Sequence, residues 1–583
     1  MSLLSLPVET LQEILGLCIP EGIDELSETC RTLYYAAQRF RPDHLLKRRQ
    51  YTVFRCLSEE ERRGDNEVIG GNDDNGDNGD NGDDGDDGDD SETSDNNTEN
   101  YRFRISKIVE LLVKIAEDPL IARYIQVADF RHDLPSEWDL FADEHRRLNK
   151  WRRFQYGKLL PHKTSIIKLL ETCPSLQEAE VDAATFWEHM VDEDGKKFSP
   201  LYGALLLLSF LTNVRKLVLP TDFDSEWTSN EALFQEILGT IVKRAQTTAA
   251  RLGGQDAALA KLRTLLPMTG SGENDMVSLQ TLLPFMSIPS VVEVLGSSCI
   301  ALAQRNGRHG RSCYMGYRPR FGPRRAWDLA FKSDYEVFAT NLERLEMIAS
   351  NVDFSEIRDV LDICPKLKVF KFDYVTKEHS YEEGWNAGYF MKAIEDTCSD
   401  TLEDIGIKLG RDIGYVGTGV VSMRLFRKLR WIELDVKVFL GIPLGGIVDQ
   451  HWASSSDRPP YNPQVPKVTE LLPASAEKLS LLAEDCDKHA KCLEALFAGV
   501  TRAEREEYLP NLQTVEVRVR TDSYLGQGSL ADSVPDPEIR ASASDIQDRF
   551  ECASSAINIF GGLLRYVGHS ENLNFISEIF DYI

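Results

Sequence analysis

The sequence predicts an α/β protein in two unequal parts: a small three-helix module, then an irregular solenoid with parallel strands inside and helices outside. Three observations predict it. Apolar residues recur at helical spacing through the first forty positions. The pattern apolar-x-x-apolar-x-apolar returns eight times between Leu176 and Val517. Upstream of several of these units runs an apolar stripe such as Ile357, Val360, Leu361 and Cys364, whose i, i+3, i+4, i+7 spacing marks one buried helix face.

In the first module, Leu6-Pro7 precedes a short helix with Val8, Leu11, Ile14, Leu15 and Cys18 on one side. Pro20-Glu21 reads as a second helix start, with proline in the first turn and an acid where the helix dipole favours it. Ile23, Leu26, Cys30 and Leu33 continue at spacings of three, four and three. A third short helix runs through Ala36, Ala37 and Phe40 and stops before Pro42. So short a bundle buries little surface, and it needs a partner or the following chain to be stable.

The run Leu3-Leu4-Ser5-Leu6-Pro7-Val8-Glu9-Thr10-Leu11-Gln12-Glu13-Ile14-Leu15, followed by Leu26-Ser27-Glu28-Thr29-Cys30-Arg31-Thr32-Leu33, resembles the F-box, particularly its fungal members. The Leu-Pro-x-Glu opening, the Ile-Leu after it and the Thr-Cys-Arg-x-Leu element carry the likeness. It departs from the common form at Cys18-Ile19-Pro20-Glu21-Gly22, where the second helix starts with a glycine. The tract from Leu111 to Ile125 is similar to the segment that opens the repeat region in many fungal F-box proteins. The resemblance implies a substrate receptor of a Skp–cullin–F-box ubiquitin ligase, docking a Skp-type adaptor and, through it, a cullin scaffold. Position by position it implies adaptor contacts at Leu6, Pro7, Leu11, Ile14, Leu15, Leu26 and Cys30; the plainer reading makes some of these the bundle's own core. Such a receptor is not an enzyme and takes no cofactor or metal; it contributes proximity. The alternative is a scaffold that binds the adaptor without serving a ligase. The chain then divides into an F-box (1–45), a connecting helix (46–63), an acidic insert (64–100) and a leucine-rich-repeat-like substrate-binding region (101–583).

The insert dominates the charge. The 583 residues carry 94 acids and 66 bases for a net −28, and residues 64–100 alone hold 15 Asp or Glu with no Lys or Arg. Without them the remainder is mildly acidic, which disfavours a general nucleic-acid binder. Val68 and Ile69 are the insert's only large apolar residues, so burial cannot offset the entropy of ordering it. It offers calcium ligands in plenty, yet no register supplies the EF-hand pattern: Asp73-x-Asn75-x-Asp77 is followed by Asn78 rather than Gly. Eleven cysteines without a C-x-x-C pair fit a reducing compartment, cytoplasmic or nuclear. The first residues carry Glu9 and Glu13 and no basic stretch, unlike a secretory signal. The longest apolar run, Ala204 to Leu211, is far short of the ~20 residues that cross a bilayer, so no membrane association is expected.

The repeat units are Leu176/Ala179/Val181, Val214/Leu217/Leu219, Leu342/Leu345/Met347, Leu367/Phe370/Phe372, Leu402/Ile405/Ile407, Leu429/Ile432/Leu434, Ala476/Leu479/Leu481 and Leu512/Val515/Val517. Their starts are separated by 38, 128, 25, 35, 27, 47 and 36 residues, and the long gap hides degenerate units near Leu262 and Val291. Such spacing is what leucine-rich helix-plus-strand solenoids look like. Each unit has an apolar strand face and an apolar helix face that only its neighbours can bury. Thr172-Cys173-Pro174-Ser175-Leu176 and Ile363-Cys364-Pro365-Lys366-Leu367 repeat the join, with proline ending the helix. An ordinary α/β domain with a parallel sheet is the alternative.

No catalytic constellation stands out. Ten histidines are scattered without ligand spacing, and Gly414-x-x-Gly417-x-Gly419 lacks both the dinucleotide fingerprint and a P-loop lysine. Cys173, Cys364 and Cys398 read as small buried residues, and Cys486 and Cys492 lack metal-binding company. Residues 304–327 hold seven arginines and no acid, interleaved with Tyr314, Tyr317, Phe321 and Trp327. Guanidinium forks suit phosphate and carboxylate, so Arg308, Arg311, Tyr317, Arg318, Arg320 and Arg324 are candidates for docking an acidic or phosphorylated protein substrate. The plainer reading is an insertion whose arginines answer the chain's own acidic excess; single-stranded nucleic acid is the weaker option. The proline-rich loop at 450–466, with Trp452 and Tyr461, reads as a spacer.

Overall fold

The computed structural model describes residues 3–55, 105–131, 144–191, 196–220, 223, 230–249, 257–266, 277–301, 339–375, 385–410, 416–443, 465–484 and 487–520. The acidic insert, the basic loop at 304–327 and most of the proline-rich loop lie outside these residues. The chain forms two compact units: Met1–Phe210 with Thr228–Asn230, and Leu211–Trp227 with Glu231–Ile583.

The first unit opens with four short helices, α1 (Val8–Leu17), α2 (Ile23–Thr29), α3 (Arg31–Ala37) and α4 (Arg41–Tyr51). Three boundaries in this stretch differ from the sequence expectation. The apolar spacing through Ile23, Leu26, Cys30 and Leu33 does not continue as one helix, because Cys30 adopts extended backbone and caps α3. Pro42 does not stop a helix but sits in the first turn of α4, where its missing N–H costs nothing. The expected connecting helix over 46–63 ends at Tyr51. Thr52 then turns the chain into strand β1 (Val53–Arg55), which pairs in parallel with β2 (Val127–Asp129). Between them lie α5 (Lys107–Glu117), capped by Ser106, and α6 (Leu120–Tyr124). The apolar run at Ala204–Leu211 falls mostly in helix Pro200–Leu208, whose every residue is buried. Gly203 there has no room for a side chain: an added Cβ would stand 2.5 Å from the Phe198 ring and 3.1 Å from Ile108.

One expected strand is absent. Leu176 and Ala179 belong to helix Pro174–Glu178 and its cap, and the chain leaves that helix through Glu180 at φ +54°. Their spacing of three is a helical one, and the join at Cys173-Pro174 starts a second helix rather than a strand.

The second unit is built on parallel strands laid down in chain order: β3 (Lys216–Val218), β4 (Thr264–Leu266), β6 (Glu293–Ser297), β8 (Arg344–Val352), β9 (Val369–Tyr374), β10 (Asp404–Leu409), β12 (Trp431–Asp435), β14 (Lys478–Glu484) and β15 (Thr514–Arg520). Short strands β5 (Val277–Ser278) and β7 (Cys299–Ala301) pair with each other, and β7 pairs with β8. A two-strand pair, β11 (Thr418–Gly419) with β13 (Ile442–Pro443), stands apart from the main sheet. The degenerate units near Leu262 and Val291 are real strands, β4 and β6.

The register explains the sequence pattern. Leu217, Leu265, Val294, Leu345, Phe370, Ile405, Ile432, Leu479 and Val515 stack in one line across the sheet, each opposite the next. Met347, Phe372, Ile407, Leu434, Leu481 and Val517 form a second line on the same face. All fifteen are buried, as alternation with period two requires. The residue after each unit's leading apolar position also repeats one hydrogen bond: Glu343 to Val292, Lys368 to Glu343, Glu403 to Lys368, Arg430 to Glu403, Glu477 to Arg430 and Gln513 to Glu477, at 2.8–2.9 Å. Helices Phe354–Asp362, Ala387–Cys398 and Asp487–Phe497 fill connections between successive strands. The described chain is α/β with a parallel sheet that does not close.

Candidate functional site

The first three helices enclose a core of Leu11, Leu15, Ile23, Leu33, Ala36 and Ala37, with Leu6, Ile19, Leu26, Cys30 and Phe40 half-buried against it, and α4 joins this bundle through hydrogen bonds to Asp24. The proposed adaptor residues therefore divide. Leu11 and Leu15 are sealed inside the bundle, Leu6, Ile14, Leu26 and Cys30 are half-buried, and Pro7 is exposed. Pro7 also starts α1, its carbonyl accepting from the Leu11 N–H at 3.1 Å.

Around that core the bundle exposes an apolar surplus. Of the sixteen large apolar residues exposed among the described ones, nine belong to residues 3–53: Leu3, Leu4, Val8, Leu17, Tyr34, Tyr35, Leu45, Leu46 and Val53. Single exposed leucines are ordinary; nine large apolar residues within residues 3–53 make this stretch the candidate interaction surface. Sequence reasoning missed Tyr34, Tyr35, Leu45 and Leu46. For Tyr34 and Tyr35 the signal is phase: each sits one position away from a residue that the core uses, Leu33 or Ala36.

Polar contacts tie the bundle to the rest of its unit. His44 is buried, its Nδ1 lying 3.0 Å from the Tyr124 hydroxyl and its Nε2 3.2 Å from Asp24 Oδ2. Arg48 donates to the same Asp24 oxygen at 2.6 Å. Lys47 bridges Asp118 at 2.5 Å and Asp43 at 2.9 Å, and these carboxylates, Asp118 first, hold its ammonium well above the usual lysine range. Arg123 grips Glu21 with two hydrogen bonds. Burial pushes the Tyr124 phenol up to about 12, so it remains a neutral hydroxyl throughout the physiological range.

The sheet of the other unit carries a charged and polar line on the face opposite the apolar ones, part of it buried. Glu346, Lys371, Glu433, Ser480 and Glu516 occupy that line. Arg344 pairs with Glu346 and Lys371 with Asp404, while Lys408 stands 3.6 Å from Asp373. Arg518 reaches Glu433 at 3.4 Å and Glu516 at 3.2 Å, and Lys478 adds a further bridge to Glu516. Burial raises the Glu346 carboxyl against the pull of Arg344, and its Oε2 has no hydrogen-bond partner among the described residues. For Glu516 burial also pushes upward, but Arg518 and Lys478 together overcome it and lower the carboxyl.

The remaining candidates are quickly placed. Arg308, Arg311, Tyr317, Arg318, Arg320 and Arg324 lie outside the described residues. Cys173, Cys364 and Cys398 are buried free thiols, with burial pushing Cys398 up to about 11 and Cys364 higher still. Thiols so raised are not nucleophiles at neutral pH. Among the described residues no three His, Cys, Asp or Glu come together as a metal site, and no helix is long and apolar enough to cross a membrane. In sequence the chain matches no protein-family model, and no curated protein is significantly similar to it.

Proposed function

We propose that this chain is a substrate receptor of a Skp–cullin–F-box type ubiquitin ligase, with the N-terminal bundle as the F-box and the sheet unit as a leucine-rich-repeat-like solenoid. The observation that carries the reading is the bundle's exposed apolar surplus, led by Leu4, Pro7 and Val8 at the Leu-Pro opening that resembles the family. Interface energy concentrates in such apolar anchors. Leu11 and Leu15 then support the docking surface from within, rather than touching the adaptor. The solenoid reading is favoured by strands in chain order, held in one register, with helices in several connections. The charged face of that sheet is where a protein substrate would be met, together with the basic loop at 304–327.

The test is co-purification of the full chain with adaptor and cullin, beside a Leu4→Ser/Pro7→Ser/Val8→Ser variant. These positions are exposed, so the variant keeps its bundle, which circular dichroism checks. Both partners with the wild type and neither with the variant is the expected result. Adaptor without cullin favours the scaffold reading, and neither partner with the wild type removes the proposal.

A further inference from the structure

The bundle's charge is segregated along the chain. Residues 1–30 carry six acids and no base; residues 31–50 carry six bases and one acid. Folding uses part of this contrast, since Arg48 reaches Asp24, Arg123 reaches Glu21, and Lys47 reaches Asp43 and Asp118. Glu9, Glu13, Glu25 and Glu28 are left over on the acidic side, and Arg31, Arg39, Arg41 and Arg49 on the basic side. Among the described residues no opposite charge pairs with any of these eight.

Two helices combine such charges with exposed apolar groups. On α1, Glu9, Glu13 and Leu17 stand at i, i+4 and i+8, so they share one helix face, and all three are exposed. Leu17, at 81%, is the most exposed large apolar residue among the described ones. On α4, Pro42, Leu45, Leu46 and Arg49 stand at i, i+3, i+4 and i+7 on one face, again all exposed. The helices have ten and eleven residues, so both are about 15–16 Å long. The α1 face runs from acid to leucine, and the α4 face runs from apolar groups to a guanidinium.

We infer that these two faces join two copies of the chain, α1 of each copy lying antiparallel on α4 of the other. The order of the groups sets the direction. Antiparallel helices bring Glu9 to Arg49 and Leu17 to the Pro42–Leu45 end, whereas parallel helices would bring Leu17 to Arg49 and the acids to the apolar end. A twofold axis makes the contact twice, because each copy supplies one acidic and one basic face. The leucines carry the affinity and the charges select the partner and its direction. An anionic membrane or an acidic partner would use only the bases and would meet the acids of α1 and α2 as repulsion; a second copy answers both signs. The net charge of −28 repels one copy from another at long range, but at about 0.15 M salt the screening length is only ~8 Å, so pairs in contact outlast that repulsion. A dimer of this kind needs none of the proposed adaptor contacts.

The experiment is a charge swap read by sedimentation of the purified full-length protein at about 0.15 M salt. The wild type should sediment as a dimer. Glu9→Lys and Arg49→Glu should each weaken it by at least about tenfold, since each puts two pairs of like charges in contact. Mixing the two variants should restore a dimer as stable as that of the wild type, because every contact in the mixed pair again joins opposite charges. The mixture also separates lost contact from lost folding, since two damaged bundles would not repair each other. A general field effect is separated by sign: Glu9→Lys makes the chain less negative and would strengthen a dimer limited only by overall repulsion. A wild type that stays monomeric at concentrations on the order of 100 μM overturns the inference. So do single variants that dimerise as well as the wild type, a mixture that stays monomeric, or assembly beyond a dimer, which a closed twofold contact forbids.

Discussion

Glu346 shows how one residue's environment becomes a measurable property. Its side chain is 0% exposed, one carboxylate oxygen is held by Arg344 and the other lacks a partner among the described residues. Burial is the larger influence and raises the carboxyl above its usual range, so the fold penalises the charged form. Below the unfolded carboxylate range both states are protonated and the penalty vanishes. It grows as pH rises from there towards the raised folded value and is full above it. Glu346→Gln keeps the shape and the acceptor while removing the charge. The variant should therefore be more stable than the wild type at pH 7, with an advantage that shrinks as pH falls towards about 4. Urea midpoints at the two pH values check this; a less stable variant at pH 7 would mean that the Arg344 pair outweighs burial.

At the scale of elements, the short helices of the bundle divide labour between inside and outside. Leu15 is fully buried, whereas Val8, two turns earlier on the same helix, is half exposed. Leu15→Ala should cost the bundle about 2–5 kcal/mol, while Val8→Ala should change stability by less than about 0.5 kcal/mol. Hydrogen exchange of α1–α3 amides separates the two, and both variants should weaken adaptor capture for different reasons. This division is also where the sequence was hardest to read. Apolar spacing locates Leu6, Leu11, Ile14 and Leu15, but in helices of seven to ten residues it does not say which face turns outward. Nor did it show the break at Cys30, because the intervals of three and four run through it without interruption. The strands of the second unit were far more legible. Leu345 with Met347, or Phe370 with Phe372, alternate with polar neighbours, and only a strand buries such a pair on one side. Leu176 and Ala179 were misread because an interval of three also fits a helix, and the following αL residue is Glu180, with no glycine to announce it. The charged ladder on the sheet's other face was invisible for another reason. Glu346, Lys371 and Glu516 fall on one line only through register, which no single strand contains.

At the scale of the molecule, the question is whether the bundle is an independent module or part of its unit. Its core is too small to hold it firmly alone, so its contacts with residues 105–131 decide. Two of these contacts are surface ion pairs, Glu21 with Arg123 and Lys47 with Asp118, each worth at most about 1 kcal/mol. A further contact is different in kind, because His44 and Tyr124 are both buried and hydrogen-bonded to each other. Tyr124→Phe keeps the ring and removes the hydroxyl, leaving His44 Nδ1 buried without its partner at a cost of about 1–3 kcal/mol. Arg123→Ala should cost less than about 1 kcal/mol. If the bundle is bolted through His44, Tyr124→Phe should speed amide exchange in α2 and α4, far from the substitution in sequence, while Arg123→Ala leaves it nearly unchanged. Faster exchange only around residues 120–125 would show that the bundle holds itself. The outcome matters for docking, because a bolted bundle fixes the direction in which Leu4, Pro7 and Val8 face relative to the helices that follow it, and a free one does not.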